Sequence, residues 1–248
     1  MKKSKQLEHL MATSKLVKAS DLPDIEFITT GIADLDDVVQ FPRGRITEIF
    51  GLQSVGKTTL TMISIAGMTK AGYKTLFIDV ENTFNKDWAK DQGVDLTKLT
   101  VSEETIVEEI AELIRENMSK FDVIVVDSVA QMIPRAEFEG KSGDAVMGLK
   151  ARLLGQLVRM ITADLAKSKC SLIFINQLRE NLAMFTAKYS TPGGLALKFA
   201  ASLRLELKTT SKDHIVKDGA KVGHWVTATV VKTKVGKPGK TARFKVMY

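Results

Sequence analysis

The chain has 248 residues, of which 44% are hydrophobic and 26% charged, an ordinary composition for a water-soluble globular protein that can bury a full core. Its formal charge of +7 and isoelectric point of about 9.3 are compatible with a polyanionic partner without requiring one. Cys170 is the single cysteine, which excludes an internal disulfide, and its apolar surroundings predict a buried, unreactive thiol.

The N-terminal segment, residues 1–28, is predicted to be a basic arm or a short oligomerisation helix. The helix alternative depends on apolar residues that would share one face: Leu7, Leu10, Met11 and Val17. A frayed, solvated arm is an equally good interpretation. No apolar run is long enough to span a bilayer, and no signal-peptide core is present, so we expect a cytoplasmic protein without a membrane partner.

The remaining residues, 29–248, form the predicted core, with no separate C-terminal domain. Buried strand patterns occur at Arg45–Phe50, Thr75–Val80, Phe121–Asp127 and Leu172–Asn176. Helical patterns between them cover 58–70, 104–118 and 148–167. This alternation indicates an α/β fold, a mostly parallel twisted sheet with helices on both faces. Three later strand patterns predict an antiparallel C-terminal extension at one sheet edge: 203–207, 225–231 and 241–247.

A phosphate-binding motif lies between the first core strand and the first long helix. Residues 51–59 fit the pattern G-x-x-x-x-G-K-[ST], in the strand–loop–helix context that the motif requires. Lys57 would reach the β- and γ-phosphates, and the Thr58 hydroxyl would bind Mg²⁺. The alternative is a glycine turn with an incidental Lys-Thr pair. The predicted phosphate-binding residues are Gly51, Gln53, Ser54, Val55, Gly56, Lys57, Thr58 and Thr59.

Three more polar residues come at or just after the ends of predicted strands, where open parallel sheets bind ligands. Asp127 would hold Mg²⁺, mostly through water, or would only cap the following turn. Glu81 would activate water against the γ-phosphate, or is a solvated loop residue. Gln177 would hydrogen-bond the γ-phosphate and report the nucleotide state, or is simply polar at a strand end.

Several longer blocks carry a resemblance to a known family. They are Phe77–Glu81, Val123–Ala130, Glu139–Leu149, Leu172–Gln177 and Gly193–Phe199. Together they resemble the RecA family of bacterial recombinases, in the family's order and spacing, from about residue 29 to 248. The resemblance implies a P-loop NTPase core that uses ATP and Mg²⁺. It also implies a homo-oligomer, a helical filament on single-stranded DNA that pairs this strand with homologous double-stranded DNA.

The resemblance also implies roles for individual residues. Glu81 corresponds to the catalytic glutamate, Asp127 to the magnesium-side aspartate and Gln177 to the nucleotide-state switch. Trp88 falls where the family stacks an aromatic ring on adenine. Lys232 and Lys234 match lysines that reach the ATP of the neighbouring subunit, so ATP would lie at subunit interfaces.

Two stretches correspond to the DNA-binding loops of the family, 139–147 and 178–191. Their cations beside apolar side chains suit a phosphate backbone with separable bases. Without the resemblance, each stretch would be interpreted as an ordinary surface loop. The predicted DNA-binding residues in and beside the loops are Gly140, Lys141, Met147, Arg152, Arg179, Phe185, Lys188, Gly193 and Gly194.

The chain departs from the family pattern at several points. The segment before the match is short, the chain stops at Tyr248 near the end of the core, Asn85 stands where an Asp is expected, and Pro192 precedes Gly193. This compact form resembles phage-encoded members. Two alternatives to a strand-exchange recombinase stay open: an accessory ATPase that binds or anneals single strands, and a nucleotide-gated regulatory ATPase without DNA.

Overall fold

The computed structural model describes residues 17–140, 148–180 and 189–248. Its strands are β1 Phe27–Ile28, β2 Phe41–Pro42, β3 Ile46–Gly51, β4 Thr75–Asp79, β5 Leu99–Ser102, β6 Val123–Asp127, β7 Ser171–Gln177, β8 Arg179–Glu180, β9 Tyr189–Ser190, β10 Leu203–Lys208, β11 His214–Lys217, β12 Ala220–Thr233 and β13 Thr241–Met247. Its α-helices are α1 Ala33–Asp36, α2 Lys57–Lys70, α3 Lys86–Asp91, α4 Val107–Asn117, α5 Arg135–Phe138, α6 Leu149–Ser168 and α7 Leu195–Ala200. Short 3₁₀ turns cover Ala19–Asp21, Val129–Gln131 and Ser211–Asp213.

A nine-stranded sheet runs through the molecule. Six neighbouring strands, in the order β10-β3-β7-β6-β4-β5, are parallel. The long strand β12 then pairs antiparallel with β10, β11 and β13. The predicted fold class, a mostly parallel α/β sheet with an antiparallel C-terminal extension, is therefore confirmed.

The central strands are buried on both faces because apolar residues fill both sides of the pleat. In β6, Val123 and Val125 pack into one core cluster, whereas Ile124 and Val126 pack into the cluster on the opposite face. Each such side chain, fully buried, stabilises the fold by about 1.5–3 kcal/mol. The strand β13 differs, because its burial alternates strictly and only Ala242, Phe244 and Val246 face the core.

The strand order brings distant parts of the chain together at one edge. Strands β3, β7, β6 and β4 are neighbours, and all point the same way. Their carboxyl ends therefore place Gly51, Gln177 and Asp127 side by side, with Glu81 two residues beyond β4. This is the edge at which open parallel sheets bind ligands.

Several details differ from the sequence prediction. The helix expected over 104–118 begins only at Val107, because the Glu104 carboxylate accepts hydrogen bonds from the amides of Thr105 and Ile106 and holds a turn. Strands β5 and β11 were not predicted, since both lack an apolar run; β5 is only partly buried and β11 is largely exposed.

Three sequence expectations concern burial, the membrane and the N-terminus. Cys170 is buried as predicted, and burial raises its pKa to about 12. In the described ranges, no helix has both the length and the apolar character to cross a membrane. Of the predicted N-terminal helix face, Leu7, Leu10 and Met11 lie outside the described residues, and Val17 is exposed.

Candidate nucleotide site and nucleic-acid surface

The phosphate-loop turn joins β3 directly to α2, and two of its positions require glycine. Gly56 has φ +95°, and a Cβ there would lie 2.9 Å from a methyl group of Val246. A Cβ at Gly51 would lie 2.5 Å from the Leu207 carbonyl oxygen. The loop is thus pressed against strands β10 and β13, and its backbone amides lead into a helix N-terminus that favours anions.

Lys57 lies inside this turn. Its ammonium donates hydrogen bonds to the carbonyl oxygens of Leu52 (2.7 Å) and Gly51 (3.3 Å), and the residue is only 8% exposed. Burial lowers the pKa of Lys57, while the nearby Asp127 and Glu81 carboxylates oppose that shift. A desolvated ammonium held at the rim of an anion-binding loop is suited to a phosphate group.

Asp127 and Thr58 form a direct pair. The Thr58 hydroxyl donates to Oδ2 of Asp127 at 2.7 Å. The pKa of Asp127 is raised to about 7, mainly by burial and also by the Glu81 and Asp79 carboxylates, while the Thr58 hydroxyl and Lys57 oppose the rise. A hydroxyl and a carboxylate are ligands that Mg²⁺ accepts, and the cation would favour the charged carboxylate, so these residues fit the metal.

The pair would hold Mg²⁺ only together with other ligands. Among the described residues, no cluster of three or more His, Cys, Asp and Glu side chains could bind a metal ion. Mg²⁺ commonly binds through one or two protein oxygens together with substrate phosphates and water. The arrangement therefore suits a metal that arrives with a nucleoside triphosphate.

Glu81 connects two strand ends through hydrogen bonds. Its Oε1 accepts from the Ser128 hydroxyl at 2.6 Å and from Nε2 of Gln177 at 3.1 Å. The expected general base and the expected nucleotide sensor are therefore in direct contact. A group that pulled the Gln177 amide away would change the hydrogen bonding of the Glu81 carboxylate at the same time.

These side chains line one cleft of about 400 Å³. It contains most of the predicted phosphate-binding residues, together with Glu81, Trp88, Asp127 and Gln177. Gly51 and Val55 do not line it, because they form the back of the loop against the core. A larger groove, of about 700 Å³, lies between α4 and α6 and contains none of the predicted site residues.

Four residues of the cleft were missed in the sequence: His224, Val246, Met247 and Tyr248. The His224 ring nitrogen Nδ1 lies 3.2 Å from the Tyr248 hydroxyl, and Nε2 lies 3.4 Å from the Val55 carbonyl oxygen. They reach the phosphate loop because β13 pairs with β12 at the far end of the sheet order. No spacing pattern in the sequence predicts that these residues contact the phosphate loop.

Lys232 and Lys234 lie away from this cleft. Lys232 donates to the carbonyl oxygens of Lys198 and Phe199, each at 2.8 Å, and Lys234 donates to that of Ala200 at 3.4 Å. Both ammonium groups thus lie at the C-terminal end of α7. Burial lowers the pKa of Lys232, with neighbouring Lys234 and Arg204 acting in the same direction.

The described residues that flank the two predicted DNA loops lie close together at the start of α6. A Cβ at Gly194 would lie 3.0 Å from Cβ of Ala151, and Gly193 packs on Val129. Three of the predicted DNA-binding residues are exposed: Gly140 before the first loop, Arg152 in the first turn of α6, and Arg179. The positive charge of Arg179 helps to lower the pKa of Lys150. Outside the described residues lie Lys141, Met147, Phe185 and Lys188.

The positive charge of the chain is concentrated in the antiparallel extension. Residues 208–248 contain ten Lys and Arg but two Asp, a formal charge of +8, so the other 207 residues together carry −1. On this surface Arg243 and Lys245 lie 5.1 and 5.0 Å from the centre of the Trp225 ring. Cations beside an aromatic ring suit a nucleic acid. A segment-by-segment charge count would have found this surface.

Comparison with known proteins agrees with this geometry. The model of the RecA N-terminal domain family matches residues 4–248. The protein RecA of Streptomyces avermitilis is 41% identical over 98% of this chain and 66% of its own length. That of Clostridium acetobutylicum is 42% identical over 98% of this chain and 71% of its own length.

The chain belongs to the RecA family. The expected resemblance is therefore confirmed. The chain spans about two thirds of the length of the RecA relatives that it matches. Activities, substrates and assemblies of the complete relatives thus reach this chain as proposals.

Proposed function

We propose that this chain is the ATPase core of a homologous recombinase, which forms a filament on single-stranded DNA and exchanges strands with homologous duplex. The observation that carries the proposal is the contact between Gln177 and Glu81 at the mouth of the phosphate loop. It joins a nucleotide-sensing position, immediately before a predicted DNA loop, to the position of the general base. Membership of the RecA family and the basic extension support the same function.

ATP binds in the 400 Å³ cleft with its phosphates on the 51–59 loop. Lys57 neutralises the β- and γ-phosphates. Trp88 and Tyr248 supply aromatic surfaces for the adenine base of ATP. Thr58 and Asp127 would hold Mg²⁺, which supplies charge neutralisation on the phosphate oxygens when bound. Glu81 orients and deprotonates the attacking water, a role worth about 10² to 10⁴ in rate.

Lys232 and Lys234 act across a subunit interface. In one subunit they lie at the C-terminal carbonyls of α7, distant from that subunit's own cleft. Two cations close together on one edge repel each other unless an anion lies opposite. The γ-phosphate bound by the adjacent subunit is the proposed anion, which makes hydrolysis depend on filament assembly.

A strand-exchange assay tests this function most directly. With ATP, Mg²⁺ and a circular single strand, the protein should convert homologous linear duplex into joint molecules, and a heterologous duplex should remain unchanged. Binding or annealing of single strands without exchange would favour the accessory ATPase. An ATP hydrolysis rate that does not change at any concentration of single-stranded DNA would favour the regulatory ATPase without DNA.

A further inference from the structure

A buried asparagine lies at the junction between the nucleotide sensor and the second predicted DNA loop. Asn176, the residue before Gln177, is completely buried near the end of β7. Its Oδ1 accepts a hydrogen bond from the backbone amide of Gln177 at 3.0 Å. Its Nδ2 donates to the carbonyl oxygen of Pro192 at 3.0 Å. One side chain therefore contacts the backbone on both sides of the segment 178–191.

The orientation of this amide is fixed by its neighbours. Nδ2 also donates to Oε1 of Glu48 at 3.0 Å. If the amide were reversed, its oxygen would face the Pro192 carbonyl and the Glu48 carboxylate, and all three groups are acceptors. The reversed amide would also lose the Gln177 donor. Only the observed orientation satisfies every buried group.

Glu48 is held in turn by an ion pair within the sheet. The carboxylate is completely buried, and its Oε2 accepts from Nε of Arg204 at 2.5 Å. The Arg204 guanidinium lies over the Phe50 ring, 4.3 Å from the ring centre. A buried carboxylate that lost either partner would be strongly destabilising. The pair thus fixes the position of Oε1, the atom that orients the asparagine.

We propose that Asn176 is a positioning residue that fixes the distance between the strand end at Gln177 and the turn at Pro192. This inference rests on the proposed DNA-dependent ATPase function. The flanking contacts are stiff: the Leu178 amide donates to the Gly51 carbonyl at 3.0 Å, and Gly193 packs against Val129. A displacement of Gln177 is therefore passed through Asn176 to Pro192 as well as along the chain.

The same network extends towards the proposed subunit interface. Arg204 of β10 pairs in register with Lys232 of β12, and the charges of Arg204 and Glu48 both act on the pKa of Lys232. Residues of β12, β10, β3 and β7 therefore form one connected row, from the interface lysine to the turn after the DNA loop. Asn176 is the link of that row that contacts Pro192.

A pair of exchanged side chains separates positioning from stability. Asn176→Asp alone places two carboxylates side by side in the core and should destabilise the protein. Asn176→Asp with Glu48→Gln restores a donor–acceptor contact between positions 176 and 48, an acceptor for Arg204, and the original net charge. The double variant lacks the hydrogen bond to Pro192, and it exchanges the ion pair between Arg204 and Glu48 for a hydrogen bond from Arg204 to a neutral amide at position 48.

We expect the double variant to unfold at a higher temperature than the single variant, because two carboxylates no longer lie side by side. It should still unfold below the wild type, because a carboxylate oxygen then faces the Pro192 carbonyl oxygen. Its KM for ATP and its DNA-free hydrolysis rate should match those of the wild type. Its rate stimulated by an oligothymidine single strand should stay about two- to tenfold low, the range that one neutral hydrogen bond supplies. Asn117→Asp is the matched control, because it also removes an amide hydrogen bond to a backbone carbonyl, that of Leu113, and Asn117 does not line the cleft.

Full DNA stimulation in the folded double variant would overturn the proposal, since the Pro192 bond would then be irrelevant. A second measurement needs no variant. In the wild type, a non-hydrolysable ATP analogue with oligothymidine should change amide hydrogen exchange at 177–178 and at 193–194 together. A change at 177–178 alone would also overturn it. A wild type that shows no DNA stimulation would instead contradict the proposed function.

Discussion

The parallel and antiparallel parts of the sheet differ in burial and in charge. The parallel strands β3, β6 and β7 are almost wholly buried, and the phosphate loop, Asp127 and Gln177 lie at their carboxyl ends. Strand β13, in the extension, buries alternate residues, and its outward face includes Arg243 and Lys245. Residues 208–248 carry +8, while the rest of the chain carries −1.

Under the proposed function, this difference would let one sheet serve two ligands. The nucleotide needs a few polar groups held at fixed distances, and the ends of buried strands provide rigid positions. A polyanion needs many positive charges over a wide surface, and half-exposed strands provide alternate outward positions. Hydrolysis should therefore respond to single residues, whereas DNA affinity should respond to the summed charge.

Lys232 and Lys234 lie in the extension, but we expect them to act on hydrolysis. They are therefore the clearest exception to this comparison. With Lys232→Ala and Lys234→Ala together, DNA-stimulated hydrolysis should fall by about 10³ to 10⁵, the effect of a charge supplied by a neighbour in other NTPases. Steady-state hydrolysis at saturating single-stranded DNA measures this.

The matched control for the interface lysines removes two charges from the same hairpin. Lys237→Ala with Lys240→Ala should leave the rate at saturating DNA near that of the wild type. Unchanged hydrolysis in the Lys232 and Lys234 variant would show that these lysines are only a solvated basic edge.

Glu81 tests the chemistry at the parallel strand ends. Glu81→Gln keeps the shape and an acceptor for the Ser128 hydroxyl but removes the base, so ATP should still bind while hydrolysis falls by about 10² to 10⁴. Equilibrium binding and single-turnover hydrolysis separate the two effects. Lys57→Ala is the comparison, because it should weaken both binding and turnover. Wild-type hydrolysis by Glu81→Gln would remove this residue as the base.

Asp127 should destabilise the nucleotide-free fold. Its folded pKa of about 7 exceeds the ordinary 3.8, so folding takes up a proton between these values and stability falls as pH rises. Asp127→Asn should therefore stabilise the nucleotide-free protein at pH 8 by an amount on the order of 2–4 kcal/mol. The advantage should shrink as pH falls from 7 towards 4.

Urea unfolding of the Asp127→Asn variant at pH 8 and pH 5, without nucleotide, measures this difference. The same variant should lose the added stability that ATP with Mg²⁺ gives to the wild type. A variant that is no more stable than the wild type at pH 8, or that is stabilised equally at both pH values, would contradict a pKa of Asp127 raised by burial.

The extension should act through its summed charge, with the smallest effect for each residue. Lys221→Gln with Lys245→Gln should reduce the magnitude of the negative slope of log affinity for single-stranded DNA against log salt by about one to two. Lys90→Gln with Lys120→Gln removes two exposed charges from the parallel part and should leave the slope unchanged. Equal slopes in both variants would show that the extension does not contact DNA.

Much of this organisation could be predicted from the sequence, because local patterns determine it. The apolar run at 123–126 and the glycine–lysine–threonine turn at 56–58 each specify their structure within a few residues. Strand β5 was missed because its edge position needs no apolar run. His224 and Tyr248 were missed because only the sheet order brings them to the phosphate loop.

Other expectations remain predictions. The division into an arm at 1–28 and a core at 29–248 is one of them, and the cytoplasmic location and the likeness to phage-encoded members are others. The roles of the individual site residues are also proposals: the geometry brings Glu81, Asp127 and Gln177 together, and activity measurements on variants decide what each one does.

The central claim is that the nucleotide state reaches the DNA surface through Gln177. Labelled oligothymidine should be titrated at constant salt with a non-hydrolysable ATP analogue and with ADP, for the wild type and for Gln177→Ala. Losing one charge-assisted hydrogen bond, about 1.5–3 kcal/mol, predicts wild-type binding about 10- to 150-fold tighter with the ATP analogue. In Gln177→Ala the ratio should approach one while nucleotide still binds. Equal wild-type affinities, or an unchanged ratio in the variant, would contradict the account.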